Sequence, residues 1–326
     1  MKNVTVMDSK NLLKIARLYY EVGLTQEQIA QQEKVSRATI SRALDAAVKQ
    51  GIVEIKIRYP LNSVEYLEEK ITKKYGLKKV FVVPVIVPYP EIIKKDVGRA
   101  LFRFLAQIVK NDDIIGISWG MTMAAVAEQL EKVERTGIKI VQLNGGIGKS
   151  CFATNASAIL EAFTNAFSAV PYSLPVPTIV DSPEIVNVIS SDSRIRDTLE
   201  LAKNSRITIY GIGKASTNSI LFKSGYFTAE EYKELLNKGA VGDICSRYFN
   251  IRGEICDKYL DSRTIGISLN LLKEKEYAIA LAVGEDKAKS IIGALQGGYL
   301  NCLFTDEITA NAILHYQEGG LNYESS

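Results

Sequence analysis

The sequence predicts an α/β protein: an N-terminal winged helix-turn-helix followed by a doubly wound, mostly parallel α/β domain. Three observations predict it. The stretch from Thr25 to Leu44, TQEQIAQQEKVSRATISRAL, carries caps and small residues at the offsets of two crossing helices. Beyond Pro60, short apolar runs alternate with amphipathic segments, the pattern of a parallel sheet covered on both faces. The length, 326 residues, gives room for two domains, assigned to residues 1–60 and 61–326.

In the first domain, Asn11 to Val22 has apolar residues at helical spacing and forms a first helix. Thr25 caps the second helix, and Gln28, three residues on, reaches back to it as in a capping box. Ile29 and Ala30 face inward, and the small Ala30 lets a third helix cross close by. Val35 plugs the turn. Lys34 occupies a turn position where Gly or Asn would tolerate positive φ more cheaply. Ser36 caps the third helix, where Ile40, Leu44 and Val48 form a buried stripe. Arg37, Thr39, Ser41 and Arg42 lie on the opposite face, as short polar groups and cations able to enter a major groove. After Gly51, IVEIKIR alternates apolar and polar residues and reads as a wing strand.

In the second domain, Ser63 to Tyr75 is helical, either a linker or the first helix of the domain. Strands are expected at Val80–Val87, Ile114–Ser118, Ile138–Leu143, Ile207–Tyr210, Ala278–Val283 and Leu300–Phe304. Helices are expected at Ile92–Val109 and from about Met121, Thr154, Asp286 and Asp306. The Asp112-Asp113 pair reads as a solvated strand entry.

Charge is unevenly placed. Residues 1–60 hold 10 Lys and Arg against 6 Asp and Glu, whereas the remainder holds 30 against 31. The positive excess therefore accompanies the helix-turn-helix, as phosphate binding requires. Cys151, Cys245, Cys256 and Cys302 form no CxxC pair and read as reduced thiols of a cytoplasmic protein. No signal peptide is apparent at the N-terminus, and the longest apolar run, containing Pro84, is too short to span a membrane.

Ligands of open parallel sheets bind beyond the carboxyl ends of the strands. Three such ends carry glycine-containing loops: GISWGMT (116–122), NGGIGKS (144–150) and GIGK (211–214). Glycines permit close backbone approach, and the following helix N-termini offer N–H groups to an anion. Ser118, Thr122 and Asn144 suit a sugar, while Lys149, Lys214 and Lys287 suit a phosphate. Asp243, within GAVGDIC, either accepts from a sugar hydroxyl or fixes its own loop. His315 is the single histidine, which leaves Ser/His/Asp and Cys/His catalysis without a base. No HExxH or clustered His/Cys spacing suggests a metal, so neither a metal nor a cofactor is expected.

The runs LTQEQIAQQEKVSRATISR, GISWGMT, VQLNGGIG, GIGKAS, KGAVGDICSRYF and GEDKAKSIIGALQGGYLNCLFTDE occur in order over nearly the whole chain. In them the chain resembles the SorC family of bacterial sugar-binding transcriptional regulators. The resemblance implies a winged helix-turn-helix and an effector domain similar to sugar-phosphate isomerases, without turnover. It implies that Gly120, Met121 and Thr122 bind the sugar or its phosphate. Asn144, Gly145 and Gly146, with Gly211 and Gly213 opposite, are expected to line the pocket. Asp243 would take a hydroxyl and Lys287 a phosphate. Asn144 stands where some deoxyribose-phosphate-type members carry a Schiff-base lysine, which argues against covalent capture. With no second cationic cluster, one phosphate is expected.

The resulting expectation is a regulator, a repressor, of a carbohydrate-utilisation operon, controlled by a phosphorylated sugar. Its partners are double-stranded operator DNA, bound through Gln26, Ser36, Arg37, Thr39, Ser41 and Arg42, and further copies of itself in a homo-oligomer. The alternatives are a sugar-phosphate isomerase or deaminase with an accessory hairpin, and a sugar-binding scaffold whose hairpin binds protein.

Overall fold

A computed structural model describes residues 8–55, 64–147 and 155–316. The chain divides into two compact units, Met1–Pro60 and Leu61–Ser326.

The first unit is built on helices α1 (Ser9–Tyr20), α2 (Gln26–Glu33) and α3 (Arg37–Lys49). The capping box forms: Gln28 N–H donates to Thr25 Oγ1 at 3.2 Å, and Thr25 N–H donates to Gln28 Oε1 at 2.9 Å. Lys34 adopts the left-handed conformation, φ 56°. Ser36 caps α3 by accepting from Thr39 N–H at 3.2 Å.

Three local expectations are corrected. Val48 is 40% exposed, and Ile40, Ala43, Leu44 and Ala47 form the buried face of α3. At about 100° per residue, position 48 has turned about 80° away from position 40, whereas Ala43 and Ala47 lie on its other side and complete the buried face. Val35 is also 40% exposed, stands outside the buried cluster of this unit and does not plug the turn. Residues 52–55 form no strand. The amides of Ile52 and Val53 both donate to Ala47 O, folding the chain back onto the end of α3. The rest of the expected wing, 56–58, lies outside the described residues.

Among its described residues the second unit holds ten strands: β1 Lys79–Val83, β2 Ile114–Ile117, β3 Lys139–Gln142, β4 Val170–Tyr172, β5 Ile207–Gly211, β6 Gly213–Lys214, β7 Ala240–Ile244, β8 Arg247–Asn250, β9 Tyr277–Leu281 and β10 Cys302–Asp306. Seven of them make a parallel sheet in the order β1-β10-β9-β5-β2-β3-β4. Alternate residues feed two cores. Ala278, Ala280 and Leu303 face one; Ile207, Ile209, Ile279 and Phe304 face the other. The sheet is thus covered on both faces, as its continuous apolar strands demand. The small antiparallel sheet β6-β7-β8 is new relative to the sequence reading. Its β7–β8 turn places Cys245 (φ 51°) and Ser246 (φ 69°) consecutively in the left-handed region, a geometry usually announced by Asn-Gly.

Of the Asp112-Asp113 pair, Asp112 is exposed as expected, and only Asp113 departs from a solvated strand entry. Asp113 is buried and accepts from Arg206 Nε and Nη2 at 2.6 and 2.5 Å. This pair ties the start of β2 to the start of β5. Removing the cation leaves a carboxylate without its partner in a desolvated place, at a cost of several kcal/mol. Arg206→Ala is therefore expected to destabilise the protein by about 3 kcal/mol, measured as a lowered midpoint in urea denaturation; an unchanged midpoint would show that the pair contributes nothing.

Candidate functional site

Strand order reverses between β2 and β5. From β2 the chain steps outward to β3 and β4, then returns to the other side of β2 as β5 and proceeds toward β9 and β10. The connections after β2 and β5 leave in opposite directions, which opens a crevice at their carboxyl ends.

A cavity of about 330 Å³ lies there, lined by the ends of β2, β3, β5 and β9 and by the small sheet. It brings together Gly120, Met121 and Thr122 after β2, Asn144 after β3, Gly211 and Gly213 around the end of β5, Asp243 on β7 and Lys287 after β9. Ser118 and Lys214 line it as well. Lys149 lies outside the described residues.

Two glycines have specific reasons. Gly120, at φ 130°, precedes the short helix Met121–Ala127 in a conformation that side chains avoid. The first turn of that helix leaves N–H groups without intrahelical acceptors beside the cavity. At Gly213, a Cβ would fall 2.0 Å from Asp243 Oδ1. Its missing side chain is what admits the carboxylate.

Gly145 and Gly146 do not line this cavity. A Cβ on Gly145 would lie 2.6 Å from the carbonyl oxygens of Val176 and Pro177, and its own carbonyl accepts from the Trp119 indole at 2.8 Å. Gly146 donates to Val176 O and accepts from Thr178 N–H, and it faces a second, more open groove with Gln142 and Pro177. Both are committed to the bridge between the end of β3 and the 176–178 segment.

The sequence reading missed Ser216, Asn218 and Ser219 on the loop after β6, Cys245 and Ser246 in the β7–β8 turn, and Asp286, all of which line the cavity. The run Ser216 to Ser219, directly after GIGK, was a usable signal of small polar residues. The turn had none.

Lys287 donates to Ile212 O at 3.0 Å, and burial lowers its ammonium pKa. Lys214 and Asp286 pair at 3.0 Å. Burial pushes the Asp243 carboxyl up to about 6, against the pull of the Ser246 N–H at 3.3 Å and the charge of Lys287. The Cys245 thiol, raised by burial to about 12, is no nucleophile. His315 is exposed, with Nδ1 2.8 Å from Asn311 O. The cavity therefore offers donors and acceptors for a small polar anion and lacks a histidine base.

In the first unit, Arg37 and Arg42 are exposed on α3, and Gln26, Thr39 and Ser41 are half-buried. The hydroxyls of Ser36 and Thr39 lie 2.8 Å apart, so the cap and its neighbour hold each other in place. Arg42 Nε donates back to Ala38 O at 3.2 Å. Among the described residues no helix is long and apolar enough to cross a membrane.

The family model for a sugar-binding domain matches residues 59–315. The chain is 38% identical to the deoxyribonucleoside regulator of Bacillus subtilis, over 93% of this chain and 96% of that protein. It is 30% identical to the sorbitol operon regulator of Klebsiella pneumoniae, over 94% and 98%. The crystal structure of that full-length regulator, SorC, superposes with a TM-score of 0.75, covering 94% of this chain and 99% of the other.

Asp243 titrates higher in the folded protein than its ordinary 3.8, so folding favours its protonated form. The stability this confers is full below about pH 4 and is lost as pH rises through about 6. Asp243→Asn removes the loss. At pH 7.5 the variant is expected to exceed the unsubstituted protein by about 1–2 kcal/mol, and near pH 4 the two should coincide. Urea denaturation at both pH values reads this; a wild type more stable at pH 7.5 would show that the charged carboxylate is well satisfied.

Proposed function

The chain belongs to the SorC family of sugar-binding transcriptional regulators, and from that premise we propose that it is a repressor of a carbohydrate-utilisation operon, released by a phosphorylated sugar in the cavity between β2 and β5. The observation that carries this is the cavity's chemistry. The first-turn N–H groups of Met121, Thr122 and Met123 and the Lys287 ammonium stand on the same cavity as Asp243 and Asn144, an anion-binding set beside a hydroxyl-binding set.

In this reading Gly120, Met121, Thr122 and Lys287 hold the phosphate, with Gly211 and Gly213 giving the ligand room. Asp243 and Asn144 take hydroxyls. Arg37 and Arg42 clamp phosphates of operator DNA, Thr39 and Ser41 reach base edges, Ser36 aims α3 as its cap, and Gln26 meets a phosphate at the start of α2. A homo-oligomer fits the two half-sites a palindromic operator presents, and the protein acts in the cytoplasm. Two of the lysines on the cavity face two aspartates, which suits one phosphate better than two. The relatives are regulators, not enzymes, and with no histidine among the described residues of the cavity the isomerase reading has no support.

Sugar phosphate alters DNA affinity only through unequal affinity for two arrangements of the protein. Two measurements test the assignment. Arg37→Ala is expected to weaken operator binding at least about ten-fold and to reduce the salt dependence by about one counterion, with sugar-phosphate affinity unchanged; intact DNA binding would remove α3 from the reading role. Trp119, on the cavity wall, should change fluorescence saturably with a sugar monophosphate and not with the free sugar. Equal response to both would remove the phosphate from the reading.

A further inference from the structure

The turn that carries Lys287 is fastened by two residues that do not line the cavity. β9 and β10 are neighbours in the sheet, and they end at Leu281 and Asp306. After β9, Gly284 opens one tight helical turn, Glu285–Lys287, closed by the Lys287 N–H on Gly284 O at 3.0 Å. Gly284 is at φ 117°, and a Cβ there would lie 2.9 Å from Asp286 Oδ1. The turn therefore needs glycine at its start.

Asp306 and Thr309 are both buried, and both reach Gly284. Asp306 caps the helix Glu307–His315, its Oδ1 accepting from Thr309 N–H at 3.0 Å. Its Oδ2 accepts the Thr309 hydroxyl proton. Having given its only proton to Asp306, that hydroxyl can meet Gly284 only as an acceptor. It takes the Gly284 N–H at 2.9 Å, and Asp306 Oδ2 shares the same N–H at 3.3 Å. The start of a helix on one strand end thus grips the backbone that leaves the neighbouring strand end.

A lysine is a point charge on a flexible stem, so its ammonium is placed only as well as its backbone is held. The Lys287 backbone is held by Gly284, and Gly284 by Thr309 and Asp306. At the other end of the side chain, Nζ donates to Ile212 O at 3.0 Å. We propose that Thr309, oriented by Asp306, is a positioning residue for Lys287: it fixes the turn at the depth where the ammonium meets the phosphate of the effector. The inference rests on the reading of this cavity as the sugar-phosphate site. It deepens that reading by naming the support on which phosphate recognition depends, at a place no ligand touches.

The test uses the full-length protein, with Trp119 fluorescence and calorimetry as readouts and a panel of pentose and hexose monophosphates as probes. In Thr309→Val, which keeps the shape and removes the acceptor, the tightest of these is expected to bind at least about ten-fold more weakly. Thr309→Ser, which keeps the hydroxyl, should bind as wild type does. Lys287→Ala should also lose affinity, and Thr309→Val added to it should cost nothing more, because the hydroxyl acts only through that ammonium. Gly284→Ala strains the same turn without touching the buried pair, and it decides the matter if Thr309→Val does not fold. It too should weaken the monophosphate in the wild-type background and not on top of Lys287→Ala. Additive losses in the double variants, or wild-type affinity in both Thr309→Val and Gly284→Ala, would overturn the inference and leave the sugar-phosphate reading standing. Absence of binding by every monophosphate to the wild type would overturn the reading and the inference with it.

Discussion

The reversal of strand order between β2 and β5 is the constraint on which the rest of the structure depends. Parallel strands must be joined by crossovers, and two crossovers leaving neighbouring strands in opposite directions cannot cover the gap between them. The small sheet β6-β7-β8, whose first strand begins two residues after β5 ends, lines that gap. Everything that makes the cavity chemically distinctive follows. Asp243 reaches it because β7 pairs with β6 at Gly213, and Gly213 admits it only by lacking a side chain. Lys287 reaches it because β9 lies beside β5 in the sheet.

Such a site is assembled at a cost to the fold. Asp243 and Lys287 are both shifted toward neutrality by burial, and Asn144 keeps an acceptor without a donor among the described residues. The contrast with the far end of the sheet is instructive. Asp113 is itself buried, yet Arg206 meets it with two hydrogen bonds and Lys110 N–H adds a third at 2.7 Å. Arg247, also buried, donates to the carbonyls of Asp261, Thr264, Gly266 and Ile267. Asp113 and Arg247 are thus served from within, whereas Asp243 and Lys287 on the cavity carry the perturbed titration that clusters at functional sites.

What the sequence made legible was local. Capping chemistry is written in adjacent residues, so Thr25, Gln28 and Ser36 could be placed before any coordinates. Apolar runs located the strands of the parallel sheet, apart from the three-residue edge strand β4, whose Val170 is exposed and whose centre is a proline. Glycine-containing strand ends marked three sides of the cavity. What was not legible depended on partners far along the chain. Nothing near Asp113 announces Arg206, and nothing near Gly145 announces the carbonyls of Val176 and Pro177 that turn it away from the cavity. The β7–β8 turn was hidden because Cys245 and Ser246 adopt a conformation their side chains do not favour. Only pairing with the rest of the small sheet imposes it.

The balance of charge in the cavity bears on what kind of sensor this is. A regulator must release its effector when supply falls, so its affinity has to stay within reach of cellular concentrations. Lys214 already has Asp286 as a counter-ion at 3.0 Å, and Lys287 faces Asp243. On the proposed reading, an incoming phosphate meets amines whose charge is partly spoken for, and it gains less than it would from an unopposed cluster. Discrimination is then better placed on neutral hydrogen bonding. An unmatched neutral acceptor rejects a wrong ligand without adding long-range attraction for every anion in the cell. On the proposed reading, anion recognition admits the class and neutral hydrogen bonding selects within it. A division of this kind allows a modest total affinity to coexist with a sharp choice of sugar.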